Sequence, residues 1–124
     1  MKGDDLSDRL LDFASRILKL IQALPKNPAG RHISGQLVRS ATSAGSNYEE
    51  ARGAESRADF IHKLSVCWKE TREAWYWLRL IHHAALIKPA LVTKILGDSD
   101  ELSRILSSSL KTARRRSSND QGSQ

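Results

Sequence analysis

The feature that most constrains the fold is an apolar residue at every third or fourth position along nearly all of the 124-residue chain. The series begins with Leu6, Leu10, Ile17 and Leu24. Steps of three and four place residues on one face of an α-helix, whereas a half-buried strand requires alternation with a period of two. Because no such alternation occurs in this sequence, the pattern predicts an all-α protein.

Turn and capping residues divide the series into helices. Pro25 stops the first helix at Leu24, and Lys26–Gly30 has the composition of a loop. Ser56, followed three residues later by Asp59, is typical of a helix N-cap with an acidic third position. A new helix is therefore expected to begin directly after Ser56.

Pro89 suits the first turn of a fourth helix, which we expect to be interrupted or kinked around Gly97–Ser99. Helices joined by short loops predict an up-down antiparallel four-helix bundle over residues 1–113. Residues 114–124 form a basic tail that we expect to be disordered. The predicted helices span residues 6–24, 31–53, 57–85 and 89–113.

The chain carries 20 Lys and Arg against 14 Asp and Glu, a net charge of +6. The excess lies in the middle of the chain and at its end: residues 54–88 hold six basic and four acidic groups, and residues 114–124 hold three Arg and one Asp. A basic protein of this kind can bind nucleic acid or another acidic partner, and the same charge is also compatible with a merely solvated surface.

Several protein classes are excluded by composition. Cys67 is the single cysteine, so no disulfide scaffold can form within the chain. Asp4, Asp5 and Asp8 make the N-terminus acidic where a signal peptide is basic, and no apolar run approaches the roughly 18 residues of a membrane span. The sequence predicts a cytoplasmic protein without membrane contact.

The third helix carries apolar residues on two faces, because a row of four lies roughly opposite Trp68 and Trp75. The row consists of Val66, Trp77, Leu80 and Ala84. Either it contacts another subunit, or Trp77 lies along neighbouring side chains at the surface of one chain. In the second helix, small residues that are poor helix formers allow a neighbouring subunit to approach closely. The candidate residues of the subunit interface are Ser43, Asn47, Val66, Trp77, Leu80 and Ala84.

A pattern of polar and apolar positions runs from the second helix into the third, over Gln36–Ser43, Asn47, Glu50, Ser56, Phe60, Leu64 and Glu73. In this pattern the chain resembles the four-helix-bundle family of the 23S rRNA intervening-sequence proteins, over roughly residues 6–112. It differs at Ala44-Gly45, where that family usually has Ile-Pro, and at Ala51, where it often has Gly. The resemblance implies a small bacterial protein that assembles as a homopentameric barrel, and it leaves the biochemical role open. The retroelement accessory variability proteins are similar in fold and are basic pentamers that bind a reverse transcriptase and nucleic acid.

The polar residues of this pattern have two interpretations. They either hydrogen-bond between helices and fix the register of the bundle, or they form part of a nucleic-acid surface in which Arg39 contacts phosphate. The pattern residues are Gln36, Arg39, Ser43, Asn47, Glu50 and Glu73, and the candidate nucleic-acid contacts are Arg39, Arg52, Lys63, Lys69, Arg72, Arg114, Arg115 and Arg116.

Neither a catalytic site nor a metal site is expected. A di-metal bundle would need two copies of a Glu-x-x-His pair, and the chain offers a single Asp59…His62. His82 and His83 are adjacent and about 100° apart on a helix, which prevents them from sharing one ion. Cys67 falls on the core stripe, where an isolated cysteine is usually an inert small hydrophobe.

The sequence therefore predicts a non-enzymatic homo-oligomer without a cofactor. Its basic surface would bind RNA, DNA or a nucleic-acid enzyme such as a reverse transcriptase. The alternative is a structural oligomer that binds another protein and has no role on nucleic acid.

Overall fold

The structure is a computed structural model that describes the backbone of residues 2–122 and the side chains of residues 5–119. Its elements are four α-helices, and the part of the chain described contains no strand. The helices are α1 (Lys2–Leu20), α2 (Pro28–Arg52), α3 (Arg57–His83) and α4 (Pro89–Gly122), with one 3₁₀ turn, Ile21–Ala23, after α1. The predictions of an all-α protein and of four helices are confirmed.

Ion pairs between helices show that the neighbours run antiparallel. Arg9 pairs with Glu101 at 3.3 Å and Arg16 pairs with Asp98, so residue numbers rise along α1 as they fall along α4. Each helix packs against the next along the chain, and contacts between α1 and α4 close the bundle. The connectivity is therefore up and down, as the short loops predict.

The core receives side chains from every helix. The largest of those that are completely buried include Phe13 of α1, Leu37 of α2, Leu78 of α3 and Leu106 of α4. Contacts are most extensive between α2 and α3, where α2 contributes mainly small side chains. Because small residues let helix axes approach closely, α2 and α3 form the tightest layer of the bundle.

The junction of α1 and α2 differs from the prediction in its boundaries. α1 gives way at Leu20 to the 3₁₀ turn, and Leu24 is extended because Pro25 follows it. α2 begins at Pro28, three residues earlier than expected, because the Asn27 side chain accepts a hydrogen bond from the Gly30 backbone N–H at 2.9 Å. Asn-Pro is therefore an N-cap followed by a first-turn proline and not part of a loop.

The end of α3 is closed by backbone hydrogen bonds. The Leu86 N–H donates to the Ile81 carbonyl and the Ala85 N–H donates to the His82 carbonyl, the pairing of a Schellman motif. Ala85 adopts a positive φ of 53°, a conformation in which most helices place glycine. The α3–α4 turn is thus tight, and α4 starts close to the place where α3 ends.

Two expectations about α4 are wrong. The helix is continuous through Gly97, and Ser99 is fully buried with its Oγ donating to the Leu96 carbonyl at 2.7 Å. Residues 114–122, expected to be disordered, continue α4, while residues 123 and 124 lie outside the described residues. Extension of an existing helix adds one hydrogen bond per residue without the cost of nucleation, which explains why polar residues remain helical there.

No helix in the described part of the chain combines the length and the apolar character that a membrane span requires.

Two glycines of α2 give opposite predictions for the same substitution. A Cβ at Gly30 would overlap the carbonyl group of Pro25, whereas a Cβ at Gly35 would meet nothing within 4 Å. Gly35→Ala should raise the free energy of unfolding by about 0.8 to 1 kcal/mol, because alanine is the better helix former. Gly30→Ala should lower it. Denaturant unfolding followed by circular dichroism tests both, and stabilisation by Gly30→Ala would contradict the close approach of Pro25.

Candidate nucleic-acid interface

Arg39 is the centre of a polar network that joins α2 to α3. Its Nη1 donates to Glu70 Oε2 at 3.0 Å, its Nη2 donates to Glu73, and its Nε donates to Gln36 Oε1 at 3.2 Å. Three of the six polar pattern residues therefore meet around one guanidinium group. This geometry fits the interpretation that they fix the register of α2 against α3, because the carboxylates already occupy the donors that a phosphate would use.

The other pattern residues make shorter-range contacts. Asn47 Nδ2 donates to the carbonyl of Ser43 at 2.9 Å and to its Oγ at 3.1 Å, within α2. Glu50 pairs with Lys63 of α3 at 3.7 Å, and Arg52 pairs with Glu49 at 3.5 Å. Arg39, Arg52 and Lys63, three of the candidate nucleic-acid contacts, are thus balanced by carboxylates.

The proposed row of subunit contacts lies mostly against its own chain. Trp77 Nε1 donates to Glu73 Oε2 at 3.1 Å, and the Trp77 ring meets the His32 ring edge-on at 5.8 Å. Val66 and Leu80 are half-buried, and Ala84 is exposed as the C-cap of α3. The arrangement of Trp77 corresponds to the second interpretation, a tryptophan lying along neighbouring side chains of one chain.

The outward side of α3 carries basic and aromatic side chains at helical spacing. We call this set the α3 outer stripe, and all of its members are exposed. Within the side chains that the structure describes, the lysine and both arginines have no carboxylate partner, because the two glutamates in the middle of α3 are turned toward Arg39 of α2. The α3 outer stripe consists of Lys69, Arg72, Tyr76, Arg79 and His83.

Trp75 holds the two arginines of the stripe without neutralising them. The guanidinium carbon of Arg72 lies 4.5 Å from the centroid of the Trp75 ring, and that of Arg79 lies 4.7 Å from it. A cation–π contact uses the flat face of the guanidinium and leaves its N–H groups at the edge. Both arginines are therefore restrained in position and keep donors for an anionic partner.

The stripe ends at a cavity of about 410 Å³ between α3 and α4. Its walls are formed by Tyr76, Arg79, Leu80, His82 and His83 of α3 and by Leu96 of α4. The Tyr76 side chain is 52% exposed. Aromatic, apolar and cationic groups therefore face one recess, a combination that suits a flat, partly polar ligand.

The basic residues near the end of α4 lie beside the start of α3. Arg116 and Arg57 line one cavity there, and Arg114 and Arg115 are exposed on the same part of α4. Positive charge is thus present at the first turn of α3 as well as along its outer stripe. The sequence places these arginines in a disordered tail, whereas the structure holds them on a helix.

A separate apolar groove of about 390 Å³ runs between α1 and α2. Leu11, which at 70% is the most exposed large hydrophobic residue among the side chains described, lines it together with Ala14, Thr42, Gly45 and Ser46. The small side chains of α2 therefore border a groove beside α1 of the same chain. This surface shares the small-residue part of α2 with the expected interface, and it lies apart from the α3 candidates Val66, Trp77, Leu80 and Ala84.

Features that suggest catalysis are not brought together. Among the described residues, no three His, Cys, Asp or Glu side chains form a group that could hold a metal ion. The Asp59 backbone N–H donates to the Oγ of Ser56, the N-cap residue of α3, and His62 is exposed. Burial raises the pKa of the Cys67 thiol to about 12, against a smaller lowering by its contact with Thr71.

Comparison with known proteins agrees with this architecture. Residues 5–108 match the protein family described as 23S rRNA-intervening sequence protein. The chain belongs to this family. The family resemblance inferred from the α2 and α3 pattern is therefore confirmed.

A solved structure supports the same membership. This member of the family is 40% identical to a protein of unknown function from the S23 ribosomal protein family of Bacteroides thetaiotaomicron, with a TM-score of 0.80. The match covers 90% of this chain and 99% of that chain. None of the curated proteins compared with this chain matches it.

The sequence pattern missed three residues of the site in this family member, namely Trp75, Tyr76 and Arg79. The signal for Tyr76 and Arg79 is a run of exposed-face positions, at steps of three and four from Lys69 to His83, that contains no acidic residue. The apolar periodicity of α3 does not reveal this run, because it predicts burial for the neighbouring Trp75 and Trp77.

The Cys67 thiol should be slow to react in the folded protein. A pKa of about 12 leaves it protonated at pH 8, and the thiolate is the reactive form. Alkylation by iodoacetamide at pH 8, followed by mass spectrometry, should be far slower in buffer than in denaturant. Equal rates in both solvents would contradict the burial of Cys67.

Proposed function

We propose that this member of the family is a cytoplasmic, non-enzymatic homo-oligomer whose α3 outer stripe binds nucleic acid through its phosphates. The observation that carries the proposal is a helix face with Lys69, Arg72 and Arg79 and without a carboxylate. Neutralisation of phosphates by Lys and Arg releases counterions, which supplies affinity independent of sequence. The arginines near the end of α4 extend this basic surface.

The network around Arg39 supports the proposal in a second way. It removes the charges of Glu70 and Glu73 from the outer side of α3, so the remaining field there is positive. Arg39 itself then acts as a structural residue and not as a phosphate contact. Lys69 and Arg72 remain from the original set of candidates in the middle of the chain, and Arg79 is added to them.

Assembly of several copies would strengthen a weak site. The family resemblance implies a pentamer, and five stripes on one particle raise the local concentration of binding sites for a long strand. Leu11 and the groove beside it offer an apolar surface for contact between copies. The same groove also supports the alternative function, a scaffold that binds a protein partner and no nucleic acid.

The basic stripe can be tested with variants that remove positive charge from the stripe and from another part of the chain. Arg72→Gln and Arg79→Gln together should weaken binding of mixed-sequence RNA and reduce the log–log salt slope by about 1.4, at roughly 0.7 per phosphate contact on a single strand. Arg104→Gln is a matched control for loss of one charge, because Arg104 is exposed on α4 and pairs with Asp100 at 3.1 Å. The affinity of Arg104→Gln for the same RNA should stay near that of the wild type.

Fluorescence anisotropy over a range of salt concentrations measures both quantities. Similar losses for the Arg104 control would mean that net charge alone governs binding. No binding of RNA, single-stranded DNA or duplex DNA by the wild type at physiological salt would reject the proposal in favour of the protein scaffold.

The assembly proposal predicts a mass several times that of one chain, five times for the pentamer. Leu11→Asp should reduce that mass with little change in helical content, because a carboxylate would be placed on an apolar surface that is exposed in the single chain. Light scattering coupled to size exclusion measures the mass. Trp77→Glu is the comparison. If Trp77→Glu reduces the mass and Leu11→Asp does not, the subunits contact each other through the α3 residues around Trp77 and not through the groove beside Leu11.

A further inference from the structure

The cavity at the end of the α3 outer stripe differs chemically from the rest of the stripe. Lys69 and Arg72 offer only positive charge to a strand, whereas the cavity adds the Tyr76 ring and the apolar Leu80 and Leu96. Phosphates gain nothing from such walls. A nucleobase does, because it is flat, has an aromatic face and carries polar groups at its edge.

We propose that this cavity takes an unpaired nucleobase, so that the stripe selects single-stranded over duplex nucleic acid. The inference rests on the proposed function and names its substrate class. Arg79 connects the two parts of the site, since it belongs to the stripe and also lines the cavity. A nucleotide whose base enters the cavity would place its phosphate near Arg79.

Tyr76 is the platform on which the base stacks. Its neighbour Trp77 meets it edge-on, with ring centroids 5.2 Å apart and an angle of 72° between the planes. That contact supports the tyrosine from one side while 52% of its side chain remains in solvent. Stacking on an exposed aromatic side chain buries apolar surface of both partners and is tolerant of base identity.

The walls of the cavity also restrict what can enter. Bases inside a duplex are stacked on both faces and present only their edges, so they reach a side-chain ring only after being unpaired or flipped out. His82 and His83 provide ring nitrogens that can hydrogen-bond the edge of an entering base. The backbone of a duplex, in contrast, can still contact the arginines of the stripe.

The experiment compares three probes of about 12 nucleotides, a length within the range of known single-strand sites. They are a mixed-sequence single-stranded RNA, the duplex of the same sequence, and a strand with the same backbone but abasic positions. The wild type should bind the single strand about tenfold more tightly than the abasic strand, a factor within the range for stacking of one base.

Variants at one position locate the effect. Tyr76→Ala should lose about tenfold in affinity for the single strand and should bind the duplex and the abasic strand as the wild type does. Tyr76→Phe keeps the ring and should restore single-strand binding. Leu91→Ala removes an exposed apolar side chain that lines neither this cavity nor the groove beside Leu11, and it should leave all three affinities unchanged.

The outcomes separate this inference from the proposed function. If Arg72→Gln with Arg79→Gln weakens binding while Tyr76→Ala changes nothing, the stripe binds backbone and the unpaired-base inference is overturned. Equal losses on the single strand and the duplex for Tyr76→Ala overturn it as well. If the wild type binds none of the probes, the proposed function itself fails.

Discussion

The architecture of the candidate site depends on the guanidinium of Arg39, which joins α2 to Glu70 and Glu73 of α3. Two carboxylates and one guanidinium give this contact between α2 and α3 a net charge of only −1. Without the bridge, both glutamates would be free to turn toward the outer side of α3 and reduce its positive potential. A contact that fixes the packing of two helices therefore also determines the charge of the surface beside it.

Trp75 has a comparable double role on the neighbouring side of α3. It is half-buried on α3, and its ring lies against the guanidinium groups of both Arg72 and Arg79. Long side chains lose rotamer entropy when they bind, and a ring that restrains them beforehand reduces this loss. Basic residues that pair with carboxylates, such as Lys63, are also restrained, but the carboxylate neutralises their charge.

Much of the fold follows from the sequence because periodicity and capping are local. The N-cap at Ser56 and the stop before Pro25 are set by a few neighbouring residues, and both predictions agree with the structure. The start of α2 at Pro28 does not follow from the sequence, because Asn-Pro can begin either a turn or a helix. α4 continues through Gly97 to Ser99, which is buried, and burial of this kind is not revealed by helix propensity alone. For the site, the pattern contains Arg39 and its partners Gln36 and Glu73, but it does not show that they meet and it omits Glu70, since contacts across helices are set by tertiary geometry.

The continuation of α4 has a geometric consequence. At 1.5 Å per residue, the 27 residues of α3 extend about 40 Å, and α4 with 34 residues extends about 51 Å. Since α4 starts beside the end of α3, Arg116 lies level with the first turn of α3, in agreement with the cavity that it shares with Arg57. Positive groups are therefore held on helices both at the first turn of α3 and along its second half. Under the proposed function, at about 3.4 Å per nucleotide along one strand of a duplex, that length would correspond to about 12 nucleotides on one copy.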